Sequence, residues 1–459
     1  MMKGRPMTSD FQAYDAYIEQ HFDQFVEELR AFCAQPALAG QKIGLAESGA
    51  LVREKIEALG GHVDLVPIAD GSPVILGDLG SGVRTLLLYN HYDVQPPEPL
   101  ELWDSPPYAG AIRDGQFYAR GVADDKGDLL ARVQAIRAYQ ATVGPLPLRL
   151  RWLIEGEEEI GSPHLGPVVH AHAGALQADF CAWEGGGRDE RDQPTVVCGM
   201  KGMLYVELHA RGPSHDVHSG NGGIVPNPAW RLVQALATIR DAQDNLTLDG
   251  LAELVVPPSA ADRAAADAMP FDEAGLARLY GLDHWQRGLQ GRAVLYTRMF
   301  EPTANIAGFT SGYGGPGAKT IVPSQAVVKM DFRLVPNQTP ATMLALLRAH
   351  LDRRGFADVE VVQLGGLEVG KTPVDSPFVQ AAAAVWQDLV PGGALIQPMT
   401  GGSGPFSLIA GDLGIPTAMV CGPGFAGSQI HSPNESIRLA DYRTSLRYWG
   451  RLFDRLAAL

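Results

Sequence analysis

Thr85-Leu86-Leu87-Leu88-Tyr89-Asn90-His91-Tyr92-Asp93 is the stretch on which the fold turns: an apolar run from Thr85 to Tyr89 leads straight into His91 and Asp93. A run that short and that apolar reads as a strand covered on both faces, the situation of a parallel sheet flanked by helices. Leu148 to Ile154, Asp179 to Trp183 and Pro416 to Val420 have the same character. Between such runs, apolar residues recur at helical spacing over Phe11 to Phe32, Ser48 to Leu59 (stopped by Gly60-Gly61) and Lys126 to Gln140. The expected class is α/β, with a mostly parallel sheet and helices on both faces.

From about Lys201 the pattern changes. Met203 to Ala210, Ala326 to Leu334 and Val359 to Leu364 alternate apolar and polar residues as half-exposed strands do. A helix is predicted over Pro340 to Arg354, with Thr339 as N-cap, proline at its first position and Gly355 as its stop. Another covers Pro228 to Arg240. These elements describe an inserted α+β domain. Gly370 onward returns to the first style, with Ser376-Pro377 opening a helix through Leu389. The expected organisation is a catalytic domain over 1–198 and 370–459, interrupted by an insertion at 199–369. Glycines near Gly199 and over Gly365 to Gly370 are candidate hinges. Asp241 to Gly291, rich in Ala, Asp and Leu, is assigned to no element.

Length and composition agree with two domains. A chain of 459 residues exceeds what one core usually holds, and 46% hydrophobic residues suffice for two. The formal net charge of −15 opposes nucleic-acid binding. Cys33, Cys181, Cys198 and Cys421 lack disulfide-framework or metal-finger spacing, which fits a reducing cytoplasm. Lys3 and Arg5 precede no apolar core, and no stretch approaches the roughly 20 apolar residues of a membrane span. The segment up to about Met7 is expected to be an extension without structural role.

Ligands of open α/β sheets collect outside the carboxyl ends of the strands. His91 and Asp93 follow one such end, Glu158 and Glu159 another, Glu184 a third and His431 a fourth. Imidazole with carboxylate suits zinc, with manganese or cobalt as alternatives, and two ions about 3.5–4 Å apart need a bridging carboxylate. Asp124, in the tight Gly121-Val122-Ala123-Asp124-Asp125-Lys126-Gly127 turn, is the bridging candidate. His91 and Glu184 would complete one ion, Glu159 and His431 the other. Glu158, beside a ligand, is placed to act as general base and then general acid. Asp93 would hold the His91 imidazole in one tautomer.

These motifs resemble the M20 family of dizinc metallopeptidases. Tyr89 to Gln95 with Pro96, Leu102-Trp103-Asp104-Ser105-Pro106-Pro107 and Arg120-Gly121 are most similar to the carnosinase-type cytosolic dipeptidases. The resemblance implies a zinc-exopeptidase-like catalytic domain and an insertion that serves dimerisation and acts as a lid. It also implies that His218, in Asp216-Val217-His218-Ser219-Gly220, stabilises the oxyanion of the partner subunit's site. Thr320 and Arg333 would hold the substrate's carboxylate end, Thr320 again in trans, and Ser403 would be a further substrate contact. The implied activity is hydrolysis of a dipeptide or of a carboxy-terminal amino acid by a homodimer. Two departures bear on substrate class. Glu184 stands where dipeptidase relatives usually carry aspartate, and Lys371 is followed by Thr372-Pro373-Val374 with no substrate-contacting histidine. An N-acyl-amino-acid deacylase is therefore the alternative, and a non-enzymatic dimeric binding module the third reading. Retention of Glu158 and the metal candidates opposes the last.

Taken singly, each residue has a plainer reading. A lone His91 or His431 is more often a hydrogen-bonded histidine than a ligand, Asp124-Asp125 a helix N-cap, and Glu157-Glu158-Glu159 a solvated helix start. Arg333 could pair a carboxylate, while Thr320 and Ser403 could satisfy backbone groups. Joint occurrence after four strands reverses those odds. His170-Ala171-His172 reads as an exposed helical pair and stays outside the site. Gly312 to Thr320 lacks the glycine that a phosphate loop needs before its lysine, since Ala318 is there. No Gly-x-Ser-x-Gly elbow occurs either.

Overall fold

The computed structural model describes residues 11–459, so Lys3, Arg5 and the segment to Met7 lie outside the described residues. The described chain divides into two compact units. One takes 11–199, Thr372–Pro398 and Leu408–Leu459, and the other takes Met200–Lys371 and Met399–Ser407.

The first unit is built on an eight-stranded sheet in the order His62–Val66, Val74–Leu79, Arg149–Glu155, Thr85–His91, Phe180–Trp183, Thr417–Met419, Thr195–Val197, Leu395–Gln397. Its centre is parallel from Arg149–Glu155 through Thr417–Met419, and the antiparallel pairings lie toward its two sides. This is the mixed, mostly parallel α/β class expected from the sequence. The Thr85–His91 strand outlasts its apolar run by two residues: Asn90 and His91 are polar, yet both are buried in the ladder opposite Ile154 and Glu155. The helix Lys126–Thr142 is buried nearly all round, because the helices Gln12–Cys33 and Leu439–Ala457 cover it. Leu129, Leu130 and Ile136 are buried along it, and each such side chain contributes about 1.5–3 kcal/mol by leaving water. Ser376 caps the helix Pro377–Leu389 through Val379 N, with proline at its first position.

Beneath the carboxyl edge of this sheet, Tyr89 and Trp183 stack with ring centroids 3.5 Å apart. The buried Arg132 guanidinium donates to the carbonyls of Tyr89, Ala182 and Trp183, to Asn90 Oδ1 and to Asp128 Oδ2. It thereby satisfies the strand-end carbonyls of two neighbouring strands at once. At the point where the chain leaves this unit and re-enters it, Thr372 N donates to the Cys198 carbonyl at 2.8 Å.

The second unit carries a four-stranded antiparallel sheet in the order Thr303–Ser311, Gln325–Leu334, Gly202–Arg211, Glu360–Leu367. Gly202–Arg211 alternates buried and half-buried residues along its length, as a strand with one covered face does. Leu204, Val206 and Leu208 pack with Leu232 and Ile239 of the helix Pro228–Ile239 and Leu347 of the helix Pro340–Arg353. Thr339 caps the latter in a reciprocal arrangement with Thr342. The stretch 241–291, unassigned from sequence, holds two short α-helices. Ala260–Ala268 starts with a capping box between Ser259 and Asp262, and Glu273–Tyr280 is capped by Asp272. Among the described residues, no helix is long and apolar enough to cross a membrane.

Candidate metal centre

Parallel register brings the functional side chains together. Leu88 lies opposite both Trp152 and Ala182, His91 opposite Glu155, and Trp183 opposite Met419. The strands therefore end along one edge, and the residues just past each end converge there. His91, Asp125 and Glu184 form one group, and Asp124, Glu159 and His431 another, with the ligand-type atoms of each group lying within 4.8 Å of one another.

Asp124 joins the groups. Its Oδ1 lies 2.9 Å from His91 Nε2 and its Oδ2 lies 3.1 Å from His431 Nε2. His91 Nε2 is also 3.4 Å from Glu184 Oε2, and His431 Nε2 is 3.1 Å from Glu159 Oε2. All five residues named as ligands from the sequence thus meet in one cluster, inside one unit.

The surroundings orient each of them. His91 Nδ1 faces the carbonyl of Asp93 at 3.0 Å and its carboxylate Oδ1 at 3.4 Å, so the nearer partner is the backbone oxygen. A proton on Nδ1 leaves Nε2 free for a cation. The Asp93 carboxylate instead accepts from Glu158 N at 3.2 Å and Glu159 N at 3.1 Å, fixing the turn that carries both glutamates. Gln95 Nε2 donates to Glu159 Oε2 at 2.9 Å. Asp125 stands at the N-cap position of the helix Lys126–Thr142, the plain reading of Asp124-Asp125 taken alone, but its side chain makes no capping bond. Its Oδ2 accepts from Asn90 Nδ2 at 2.6 Å and from His91 N at 3.1 Å.

Electrostatics within the cluster are those of excess negative charge. Burial raises Glu158 to about 7; the carboxylates of Asp124, Glu159 and Asp93 add to this against the pull of His91. Burial likewise pushes Glu184 far above the usual carboxylate range. Burial also works on Asp124, but hydrogen bonding with His431 and His91 outweighs it and holds that carboxyl below its ordinary value. Glu184 Oε2 is buried and has no hydrogen-bond donor among the described residues. Two imidazoles among crowded carboxylates, one with an orphaned buried oxygen, are a donor set that divalent cations fit.

The candidates in the second unit fall into two pairs. His218 lies on the short strand Val217–His218, paired with Ile321–Val322, and its Nδ1 accepts from Gly220 N at 3.0 Å. The Thr320 carbonyl accepts from Ser219 N, so Thr320 neighbours His218, and both side chains are exposed. Arg333 donates to Ser403 Oγ at 2.7 Å and lies 3.5 Å from Asp331, while Ser403 Oγ donates to the Gly202 carbonyl. His170 is exposed beside Asp412, as its sequence reading had it.

A family model described as Peptidase family M20/M25/M40 matches residues 87–455. The chain is 25% identical to the Beta-Ala-His dipeptidase of Rattus norvegicus, covering 100% of this chain and 98% of that protein. It is 27% identical to the Cys-Gly metallodipeptidase DUG1 of Saccharomyces cerevisiae, with 95% of each covered. Among solved structures, the M20 family metallo-carboxypeptidase Sso-CP2 from Sulfolobus solfataricus matches with a TM-score of 0.88 at 32% identity, over 95% of this chain and 100% of that one.

Proposed function

Because the chain belongs to the M20 family of metallopeptidases and is similar over its full length to carnosinase-type dipeptidases, we propose that it hydrolyses the amide bond of a dipeptide or of a carboxy-terminal amino acid. The observation that carries this reading is Asp124 lying between two imidazoles, one oxygen toward each. His91, Asp124 and Glu184 would hold one divalent cation, and Asp124, Glu159 and His431 the other. Two such ions, zinc first with manganese or cobalt as alternatives, supply Lewis acidity and a water ionisable near neutrality.

Glu158 then removes the proton of the attacking water and returns it to the leaving nitrogen. A carboxyl raised to about 7 is matched to both halves of that task. Asp93 keeps Glu158 in place through its backbone N–H. Arg333 offers a planar fork to the substrate's free carboxylate, with Ser403 bracing it and Thr320 adding a hydroxyl. His218 of the partner subunit would donate to the oxyanion in a homodimer, a role worth roughly 2.7–4 kcal/mol in the barrier. Mixing His218→Ala with Glu158→Ala subunits tests this. Recovered turnover is expected, and none despite proven subunit exchange would remove the role in trans.

Glu184 favours a second reading, an N-acyl-amino-acid deacylase using the same centre. Comparing turnover of free dipeptides with that of acetylated amino acids by metal-loaded protein separates the two. Faster cleavage of the acetylated series would replace the peptidase assignment. Family membership sets the non-enzymatic reading aside. Cys33, Cys181, Cys198 and Cys421 are buried and none is joined in a disulfide among the described residues, which supports a cytoplasmic location.

A further inference from the structure

Glu435 lies four positions beyond His431 and was not singled out from sequence. Its carboxylate is fully buried and accepts four hydrogen bonds. Oε2 takes Arg120 Nη1 at 2.7 Å and Gly121 N at 2.7 Å, and Oε1 takes Ala123 N at 2.8 Å and Asp124 N at 3.1 Å. The Glu435 carbonyl also accepts from Ala119 N at 3.1 Å. Three amides of the turn that presents Asp124 are thus gathered on one side chain of the loop that presents His431, across 311 positions of sequence. Backbone amides that converge in this way make an anion-binding concavity, and here the anion is internal.

We infer that Glu435 is the positioning residue that sets the Asp124 turn against the His431 loop and so builds the outer cation position, formed by Asp124, Glu159 and His431. The inner position has other supports. Arg132 and Asn90 hold the strand end of His91, and Asp128 holds Gly185 N beside Glu184. Glu435 therefore bears on both positions through Asp124, and on the outer one a second time through the His431 loop. Its charge matters as well as its shape, because a carboxamide would turn an NH2 toward two of the four donors.

This rests on the dimetal reading, and the test separates the two. Metal-free full-length protein is titrated with Co2+ alone and followed by calorimetry and visible absorption. Wild type is expected to take up two equivalents; fewer would sink the dimetal reading itself. In Glu435→Gln the second equivalent is expected to bind about tenfold or more weaker and the first to weaken less, with turnover recovered by excess Co2+. Unchanged affinity for both equivalents, or equal weakening of both, overturns the inference. If that variant does not fold, Glu435→Asp decides by the same criterion. Failure of both variants to fold also overturns it, since Glu435 would then support the fold and not the outer position.

Discussion

The two halves of the candidate centre are built differently. The inner half stands on strand ends: the His91 side chain is 0% exposed, and Arg132 ties its strand to the one leading into Glu184. The outer half hangs from a loop. His431 is 51% exposed and takes a left-handed φ of 62°, with Gln429 and Asn434 also at positive φ nearby. Such backbone is unfavourable for non-glycine residues and has to be held by surrounding contacts. The first group is thus buried on strand ends, while the second includes a half-exposed loop imidazole, with Asp124 reaching toward both.

Exchanging one imidazole from each half should break this contrast most visibly. His91→Ala is expected to abolish turnover and release both ions, because it empties a buried position beside Asp124 and Glu184. His431→Ala should release one equivalent and leave the thermal midpoint near that of wild type. Elemental analysis with thermal melting checks both, and identical losses would mean the halves are not distinct. Glu158 belongs to neither half. Glu158→Ala should keep both ions and lower kcat by about 10²–10⁴, the usual range for a lost general base. Metal loss in this variant would make Glu158 a ligand.

Arg132→Met sharpens the comparison from the inner side. Removing one partner of a buried pair leaves Asp128 uncompensated and is expected to cost about 3–5 kcal/mol in urea unfolding. A loss under 1 kcal/mol would show that the strand ends hold without it. The smallest expected effect is kinetic. Release to a chromophoric chelator should be biphasic, with the fast phase absent in His431→Ala. A single phase in wild type would place both ions in equivalent surroundings.

The sequence exposed the four central strands, because apolar runs flanked by helical periodicity leave little choice, but not His62–Val66, Val74–Leu79, Thr195–Val197 or Leu395–Gln397 on either side of them, nor Thr303–Ser311 in the second sheet. It pointed to the ligand candidates too, since His91, Glu159, Glu184 and His431 come at or after the end of such a run, with Asp124 in the turn before a helix. The supports were harder to see. Glu435 and Arg120 are partners 315 positions apart, and no local pattern signals that pairing. Asn90 and Asp125 look like turn residues until their burial is known. The Thr85–His91 strand was read short because its last two residues are polar, and both find polar partners in Asp124 and Asp125. The helices within 241–291 were missed although Ser259-Ala260-Ala261-Asp262 carries a capping signature. Its aspartate stands where glutamate or glutamine is the usual marker, and the helix behind it is short. The roles assigned to His218, Thr320, Arg333 and Ser403 came from family resemblance, since alternating strands say nothing about what a loop will bind.

The hydrogen bond from Thr372 N to the Cys198 carbonyl has an evolutionary reading. Departure and return of the chain are stitched side by side in the first unit, so the long excursion between them resembles a graft on an already closed stem. Changes within that graft can therefore alter its own residues, His218 and Arg333 among them, while the stem keeps the metal candidates and Glu158 in place.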